Sequence, residues 1–133
     1  MAFVLDASVS AVWALADESF PIADMAAESL KSEIALVPRL WWYEIRNLLV
    51  ISERRLRITV ADTAIFLELL SAYPIQIEQF EDEKLVLQLA RQYQLSFYDA
   101  AYLALALDQK LPLATLDKPL ALAAVAAGVP LMV

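Results

Sequence analysis

The sequence predicts a three-layer α/β/α domain whose central sheet is mainly parallel and has about five strands. Short apolar runs alternate along the chain with longer segments that carry helix signals, and this alternation is typical of parallel strands joined by crossover helices. Residues 100–107 include no charge on any side, as expected for a helix covered by a sheet and by other helices. At 133 residues, the chain is expected to form one domain, 1–133.

The strands are predicted from short apolar runs that are bounded by turn or helix signals. In chain order they cover residues 3–5, 34–37, 75–77, 111–115 and 129–133.

The helices are predicted from their caps and from apolar periodicity. Pro21 suits a first helical turn, and Thr59 with Asp62 has the spacing of a capping box, as does Ser96 with Asp99. In chain order the helices are expected over residues 7–15, 21–31, 39–50, 60–70, 82–93, from 97 onward, and 119–127.

The composition removes several kinds of chemistry. The chain has no cysteine and no histidine, which excludes disulfides, thiol catalysis, imidazole acid–base catalysis and His-ligated zinc. Its one glycine, Gly128, leaves no room for a phosphate-binding glycine loop. Carboxylates, hydroxyls, amines and guanidiniums remain for function.

The formal net charge of −7 argues against a broad nucleic-acid-binding surface. Half of the ten basic residues nevertheless fall in one short span. They are Arg39, Arg46, Arg54, Arg55 and Arg57. This cluster is either a solvated helix face or a patch that contacts RNA phosphates.

No segment of the sequence predicts membrane insertion or export. The apolar residues 7–16 are not preceded by basic residues, as a signal peptide would require. No uncharged run reaches the roughly 18 residues of a membrane span. We expect a cytoplasmic protein that does not bind membranes.

Four acids stand out because each follows a predicted strand or begins the helix after it. They are Asp6, Glu44, Asp99 and Asp117. The carboxyl ends of parallel strands share one edge, so these side chains can converge. Each acid alone has a simpler interpretation, such as the helix N-cap at Asp6.

Converging carboxylates repel one another unless a cation neutralises them. Oxygen-only ligation suits Mg²⁺ or Mn²⁺, and such an ion supports phosphodiester hydrolysis by water without histidine. Three neighbouring side chains could orient the acids as hydrogen-bond donors. They are Ser8, Asn47 and Thr115.

Four short motifs, spread along nearly the whole chain, carry a family resemblance. They are Val-Leu-Asp-Ala-Ser, Tyr-Glu-Ile-Arg-Asn, Ser-Phe-Tyr-Asp-Ala-Ala-Tyr and Leu-Ala-Thr-Leu-Asp. The sequence thus resembles the PIN-domain ribonucleases, and within them the VapC-type toxins of toxin-antitoxin pairs. The resemblance implies that Asp6, Glu44, Asp99 and Asp117 form an Mg²⁺-binding catalytic centre, and that the protein is an endoribonuclease that dimerises and is inhibited by a cognate antitoxin.

Two further expectations concern binding. The aromatic residues Trp41 and Trp42 are candidates for a partner interface, because adjacent helical residues cannot all face the core. An acidic pocket could also accept an arginine from an antitoxin. The alternative to a nuclease is a catalytically silent module of the same fold that binds a protein partner or RNA.

Overall fold

The computed structural model describes residues 1–15 and 17–132, which fold into a parallel sheet flanked by helices. The strands are β1 Ala2–Leu5, β2 Ile34–Pro38, β3 Ile75–Glu78 and β4 Leu113–Ala114. The helices are α1 Ala7–Val12, α2 Pro21–Ser29, α3 Arg39–Arg54, α4 Val60–Ser71, α5 Glu83–Tyr93, α6 Phe97–Gln109 and α7 Lys118–Ala126. The predicted α/β class with a mainly parallel sheet is confirmed.

The sheet has the strand order β3-β2-β1-β4, and all its pairs are parallel. The register places Val4 of β1 opposite Leu36 of β2 on one side and Leu113 of β4 on the other. Val4 and Leu113 are completely buried, because helices cover both faces of a parallel sheet. β1 is therefore a central strand, with a paired strand at each edge and helices over each face.

A fifth strand was predicted over residues 129–133, and the described part of this segment forms only one bridge, between Leu113 and Leu131. The Leu113 N–H donates to the Pro130 carbonyl, and the Met132 N–H donates to the Leu113 carbonyl, each at 2.9 Å. Pro130 has no N–H to extend this pairing. Residue 133 lies outside the described residues. Within them the sheet has four strands, and Leu131 adds a single bridge in place of the predicted fifth strand.

Six of the seven helices described form two groups. In one group, α6 packs on β1, β2 and β4 and lies against α5 and α7. In the other, α1 packs against α2 and α3, which contact β4 and β2 respectively. The groups give the three layers that the sequence predicts.

The helix α6 has more buried residues than any other helix of the described chain. Ser96 caps its first turn by accepting from the Asp99 N–H at 3.0 Å, and the interior side chains from Tyr102 to Ala106 are buried. The helix ends at Lys110, which has a left-handed backbone with φ of 56°. Because a helix in this position has sheet on one side and helices on others, the absence of charge over residues 100–107 follows from burial.

The helices α3 and α4 have different amounts of exposed surface. α3 buries Trp41, Ile45 and Leu49, which follow one another at four-residue spacing along one face. α4 begins with a complete capping box but buries only Leu70.

None of the helices in residues 1–15 and 17–132 is long and apolar enough to span a membrane.

Candidate active site

β1 and β4 are neighbouring strands whose carboxyl ends lie side by side. The order of the strands in the sheet reverses between these two strands. From β1, the chain continues to β2 on one side, whereas β4 pairs on the other side. Such a reversal opens a crevice at the carboxyl edge of a parallel sheet, which is the usual ligand-binding position in α/β folds. Asp6 directly follows β1, and Thr115 directly follows β4.

All four acids predicted from the sequence line one cavity of about 300 Å³ at this edge. Asp6, Glu44, Asp99 and Asp117 come from four separate segments, and Glu18 lines the same cavity. We call this space the acid cavity. Sequence reasoning missed Glu18, because it lies between α1 and α2 with no strand or helix start to mark it.

Asp6 is held by two hydroxyl groups. Its Oδ2 atom accepts hydrogen bonds from Ser8 Oγ and Thr115 Oγ1, both at 2.7 Å. The Ser8 hydroxyl accepts from the Leu116 N–H and the Thr115 hydroxyl accepts from the Asp117 N–H, both at 3.0 Å. Because backbone donors occupy the hydroxyl oxygens, the hydroxyl protons point to Asp6.

The Asp6 side chain does not cap a helix, which was the simpler interpretation of this residue. Asp6 occupies the N-cap position of α1, but its carboxylate makes no capping hydrogen bond there. Its side chain is 5% exposed and turned toward Ser8 and Thr115 instead. A buried carboxylate without a cap role is typical of a functional position.

Glu44 is held by a residue that sequence reasoning missed. The Tyr102 hydroxyl donates to Glu44 Oε1 at 2.7 Å across the interface between α6 and α3. Tyr102 is completely buried, so it resembles an ordinary core aromatic in the sequence. The available signal was its position three residues after Asp99, which places both side chains on one helix face.

Asp99 and Asp117 each lie at a helix start. Asp99 is in the first turn of α6, where the reciprocal half of the predicted capping box is not formed. Asp117 is the N-cap of α7 and accepts from the Leu120 N–H at 3.1 Å. The positive ends of both helices therefore face the acid cavity and partly offset its negative charge.

Burial and mutual repulsion raise the pKa values of three acids. Burial is the main cause for Asp6, with a further increase from the charge of Asp117 and an opposing effect from its two hydroxyl donors. Burial also raises the pKa of Glu44 and of Asp99, and neighbouring carboxylates add to both shifts. The pKa of Tyr102 is raised by burial and by the charges of Asp6 and Glu44, so its hydroxyl keeps its proton and donates.

Asn47 and the arginines make none of the hydrogen bonds described above for the four predicted acids, although Arg57 pairs with Glu18 of the cavity lining. Asn47 is exposed and lines a neighbouring groove with Glu44. Arg39 pairs with Glu81, and Arg57 pairs with Asp17 and Glu18.

The five arginines therefore do not form one compact patch. Arg39 and Arg54 begin and end α3, which places them about 22 Å apart at the helical rise per residue. Arg54 and Arg55 are exposed at the far end of this helix. The guanidinium of Arg46 lies 3.9 Å from the centre of the Trp42 ring.

The two tryptophans predicted for a partner interface have different positions. Trp41 is 4% exposed and its Nε1 donates to Ser10 Oγ at 2.9 Å. The prediction is therefore wrong for Trp41, which is a core residue because its face of α3 packs inward. Trp42 is 42% exposed, and Tyr43 beside it is 70% exposed.

The donor set fits a hard divalent cation. The cavity offers carboxylates, and the chain contains no histidine or cysteine that would favour a softer metal. Within the described residues, no three acidic side chains are arranged to hold one ion together. Mg²⁺ commonly uses only one or two carboxylates and completes its shell with water and substrate phosphates, so Asp6 with one neighbour would suffice.

The comparisons with known proteins identify the family. The PIN domain model matches residues 3–126, so the chain belongs to the PIN domain family. PIN domains are generally nucleases that use divalent metals. A search among curated proteins gives no match.

Two solved structures share the fold. PAE2754 from Pyrobaculum aerophilum matches with a TM-score of 0.73 and 22% identity, over 92% of this chain and 84% of that one. VapC20 of Mycobacterium tuberculosis, described as a sarcin-ricin loop cleaving toxin, matches with a TM-score of 0.61 and 15% identity, over 96% and 95% of the two chains. At these identities the likeness establishes the fold.

Proposed function

We propose that this protein is an Mg²⁺- or Mn²⁺-dependent endoribonuclease and the toxin of a VapC-type toxin-antitoxin pair. The observation that supports it best is the presence of Asp6, Glu44, Asp99 and Asp117 around one cavity at the strand-order reversal. Membership of the PIN domain family and the fold shared with the toxin VapC20 support the same function.

The residues of the cavity supply binding and proton transfer. When bound, the metal lowers the pKa of a water molecule and stabilises negative charge on a phosphoryl oxygen. Asp6 is fixed by two hydroxyls and would serve as a rigid ligand. Glu44 is oriented by the Tyr102 hydroxyl and shares the cavity with Asp99, so these carboxylates are placed to accept a proton from the attacking water. Hydrolysis by water leaves a 5′-phosphate and a 3′-hydroxyl.

Cleavage of a mixed RNA pool by the purified protein tests this function. We expect cutting with Mg²⁺ or Mn²⁺, none in EDTA, and a loss in the Asp99→Asn variant greater than the roughly 10- to 100-fold typical of residues behind metal ligands. Asp108→Asn is the matched control, because it removes a charge from an exposed position of the same helix. Cutting that persists in EDTA or in Asp99→Asn would contradict the proposal.

The second candidate is a PIN-fold module that binds RNA or a protein partner without cleaving. The lack of a three-acid group arranged around one point within the described residues favours it. Metal-dependent thermal stabilisation separates the two functions, because a ligand that binds the native state raises its stability. A binding module would show neither stabilisation by Mg²⁺ nor cleavage.

The antitoxin and the homodimer belong to the first proposal. An antitoxin arginine could enter the acid cavity through bidentate contacts with a carboxylate. The exposed ring of Trp42, on a different side of α3 from Glu44, supports a separate partner surface. The apolar side chains Val60, Ile65 and Leu69 on the open side of α4 support an interface between protein chains. Light scattering should then give a mass near twice 14.8 kDa.

A further inference from the structure

A second space opens directly beside the acid cavity. This groove of about 630 Å³ is lined by Leu40, Tyr43, Glu44 and Asn47 from α3 and by Tyr98 from α6. The α3 residues follow the three- and four-residue spacing of one helix face. Glu44 lines both the groove and the acid cavity, so the two spaces lie side by side at this residue. We call the second space the tyrosine groove.

Two exposed tyrosines form the walls of the tyrosine groove, one on each helix. Tyr43 is 70% exposed and Tyr98 is 64% exposed. Each directly precedes an acid of the cavity, Glu44 and Asp99 respectively. Consecutive helical residues point about 100° apart, so the acid faces the cavity while the preceding ring faces outward.

The Tyr43 ring is supported by its neighbours on α3. The Trp42 ring meets it edge to face, with centres 5.0 Å apart and planes at 72°. Arg46 covers the Trp42 ring and donates to the Trp42 carbonyl at 3.0 Å. A ring supported in this way loses less freedom when a ligand stacks on it.

We propose that Tyr43 and Tyr98 stack unpaired nucleobases next to the cleaved phosphodiester, with Asn47 offering its amide to a base edge. This inference rests on the proposed nuclease function and assigns the side chains that hold unpaired bases of the RNA substrate. Aromatic rings beside a backbone-binding site are a general device for single-stranded nucleic acid. A net charge of −7 gives little general attraction to phosphates, so stacking must supply much of the affinity.

The chemistry of the tyrosine groove favours bases over a partner helix. An amphipathic helix needs a row of apolar pockets spaced along its length. The groove offers one aliphatic side chain, Leu40, among two phenols, an amide and a carboxylate. Flat rings with polar edges match the faces and edges of nucleobases.

Fluorescence of RNA that contains 2-aminopurine tests the proposal, because stacking quenches this base. The single-stranded RNA is titrated with wild-type protein in EDTA, and with Asp99→Asn in Mg²⁺, so that binding is read without cleavage. We expect quenching that a fully paired duplex of the same sequence does not show. Tyr43→Ala and Tyr98→Ala should each weaken binding by roughly 5- to 150-fold, the range for loss of one stacked base.

Two controls separate stacking from folding. Tyr43→Phe and Tyr98→Phe keep the ring, so they should restore the quenching that the alanine variants lose. Leu122→Ala removes an apolar side chain of similar exposure, 65%, from α7 and should bind like the wild type. Circular dichroism of the alanine variants should match the wild type, since both tyrosines are mostly exposed.

The results also distinguish this proposal from the proposed function. Unchanged binding and quenching in both alanine variants, or no quenching in either background, would overturn the stacking proposal and leave the groove to another occupant. RNA cleavage with tyrosine-independent binding would keep the nuclease and reject the stacking. Tyrosine-dependent quenching without cleavage in any metal would keep the stacking and reject the nuclease.

Discussion

At the residue scale, backbone N–H groups fix the Asp6 carboxylate indirectly, through two side-chain hydroxyls. The N–H groups of Leu116 and Asp117 bind the hydroxyl oxygens of Ser8 and Thr115, whose protons then point to Asp6 Oδ2. The loop after β4 thereby orients a side chain at the end of β1. Hydrogen bonds of this kind are what residues behind a metal ligand usually supply.

The Thr115→Val variant should separate this orienting role from packing. Valine has nearly the shape of threonine but cannot donate to Asp6 or accept from the Asp117 N–H. We expect a loss of about 1–3 kcal/mol in the free energy of unfolding and a decrease of roughly 10- to 100-fold in Mg²⁺ affinity. Chemical denaturation and the metal-dependent rise in melting temperature measure the two effects.

The control is Thr63→Val, which removes another threonine–carboxylate hydrogen bond, between Thr63 and Glu53. Neither Thr63 nor Glu53 lines the acid cavity. This variant should lose stability without losing metal affinity. Equal metal affinity in Thr115→Val and the wild type would show that the hydroxyl network does not position Asp6 for a cation.

The residues of the cavity differ in how far the sequence could predict them. The acids and the hydroxyls of Ser8 and Thr115 were found because strand ends and motifs mark them. Tyr102 was missed because a buried aromatic on an apolar helix is usually core. The distinction between Trp41 and Trp42 depends on the rotation of α3 about its axis, which adjacent apolar residues do not determine.

At the element scale, helix starts deliver two of the four acids. Ser96 caps α6 and Asp117 caps α7, so the caps that begin these helices also bring carboxylates to the cavity. The cap at Ser96 fixes the turn that contains Asp99. A loss of this cap should therefore affect stability and the site together.

Comparison of two cap variants tests this dual role. Ser96→Ala and Thr59→Ala each remove an N-cap side chain, and each should cost about 1 kcal/mol in the free energy of unfolding. RNA cleavage should decrease only in Ser96→Ala, because α4 contributes no residue to the acid cavity. Denaturant titration and cleavage rates at equal concentrations of folded protein provide the measurements. Equal cleavage by the two variants would count against positioning by the α6 cap.

The elements themselves were largely predictable, whereas their arrangement was not. Periodicity and caps located the seven helices and four strands of the described chain, with ends that shifted by a few residues. The strand order β3-β2-β1-β4 depends on long-range pairing that local patterns do not encode. β4 is shorter than the predicted run 111–115 at both ends, since Pro112 has no N–H for the ladder and the Thr115 side chain bonds to Asp6.

At the scale of the whole molecule, the acid cavity opposes stability. Asp6 is buried, Glu44 and Asp99 are partly buried, and their charges repel one another. Burial of such groups is unfavourable for their ionised forms. The fold tolerates this because α6 and the sheet bury a large apolar core around them. A cation or a proton in the cavity should therefore stabilise the folded protein.

This expectation predicts how stability depends on pH without metal. The folded-state pKa values of Asp6, Glu44 and Asp99 are raised, so the folded state binds protons more tightly than the unfolded state. Their stabilising contribution is fully present below the unfolded pKa values near 4 and is lost as pH rises through the folded pKa values. In EDTA, Asp99→Asn should therefore gain stability relative to the wild type as pH rises from about 4 to 8.

Added Mg²⁺ at pH 7.5 should reverse this difference in stability, with a gain for the wild type of about 2.7 kcal/mol at 100 times the dissociation constant. Calorimetry measures both effects, and Asp108→Asn controls for the loss of one charge. A stability difference that neither changes with pH nor responds to Mg²⁺ would mean that Asp99 does not belong to a cation-binding acidic centre.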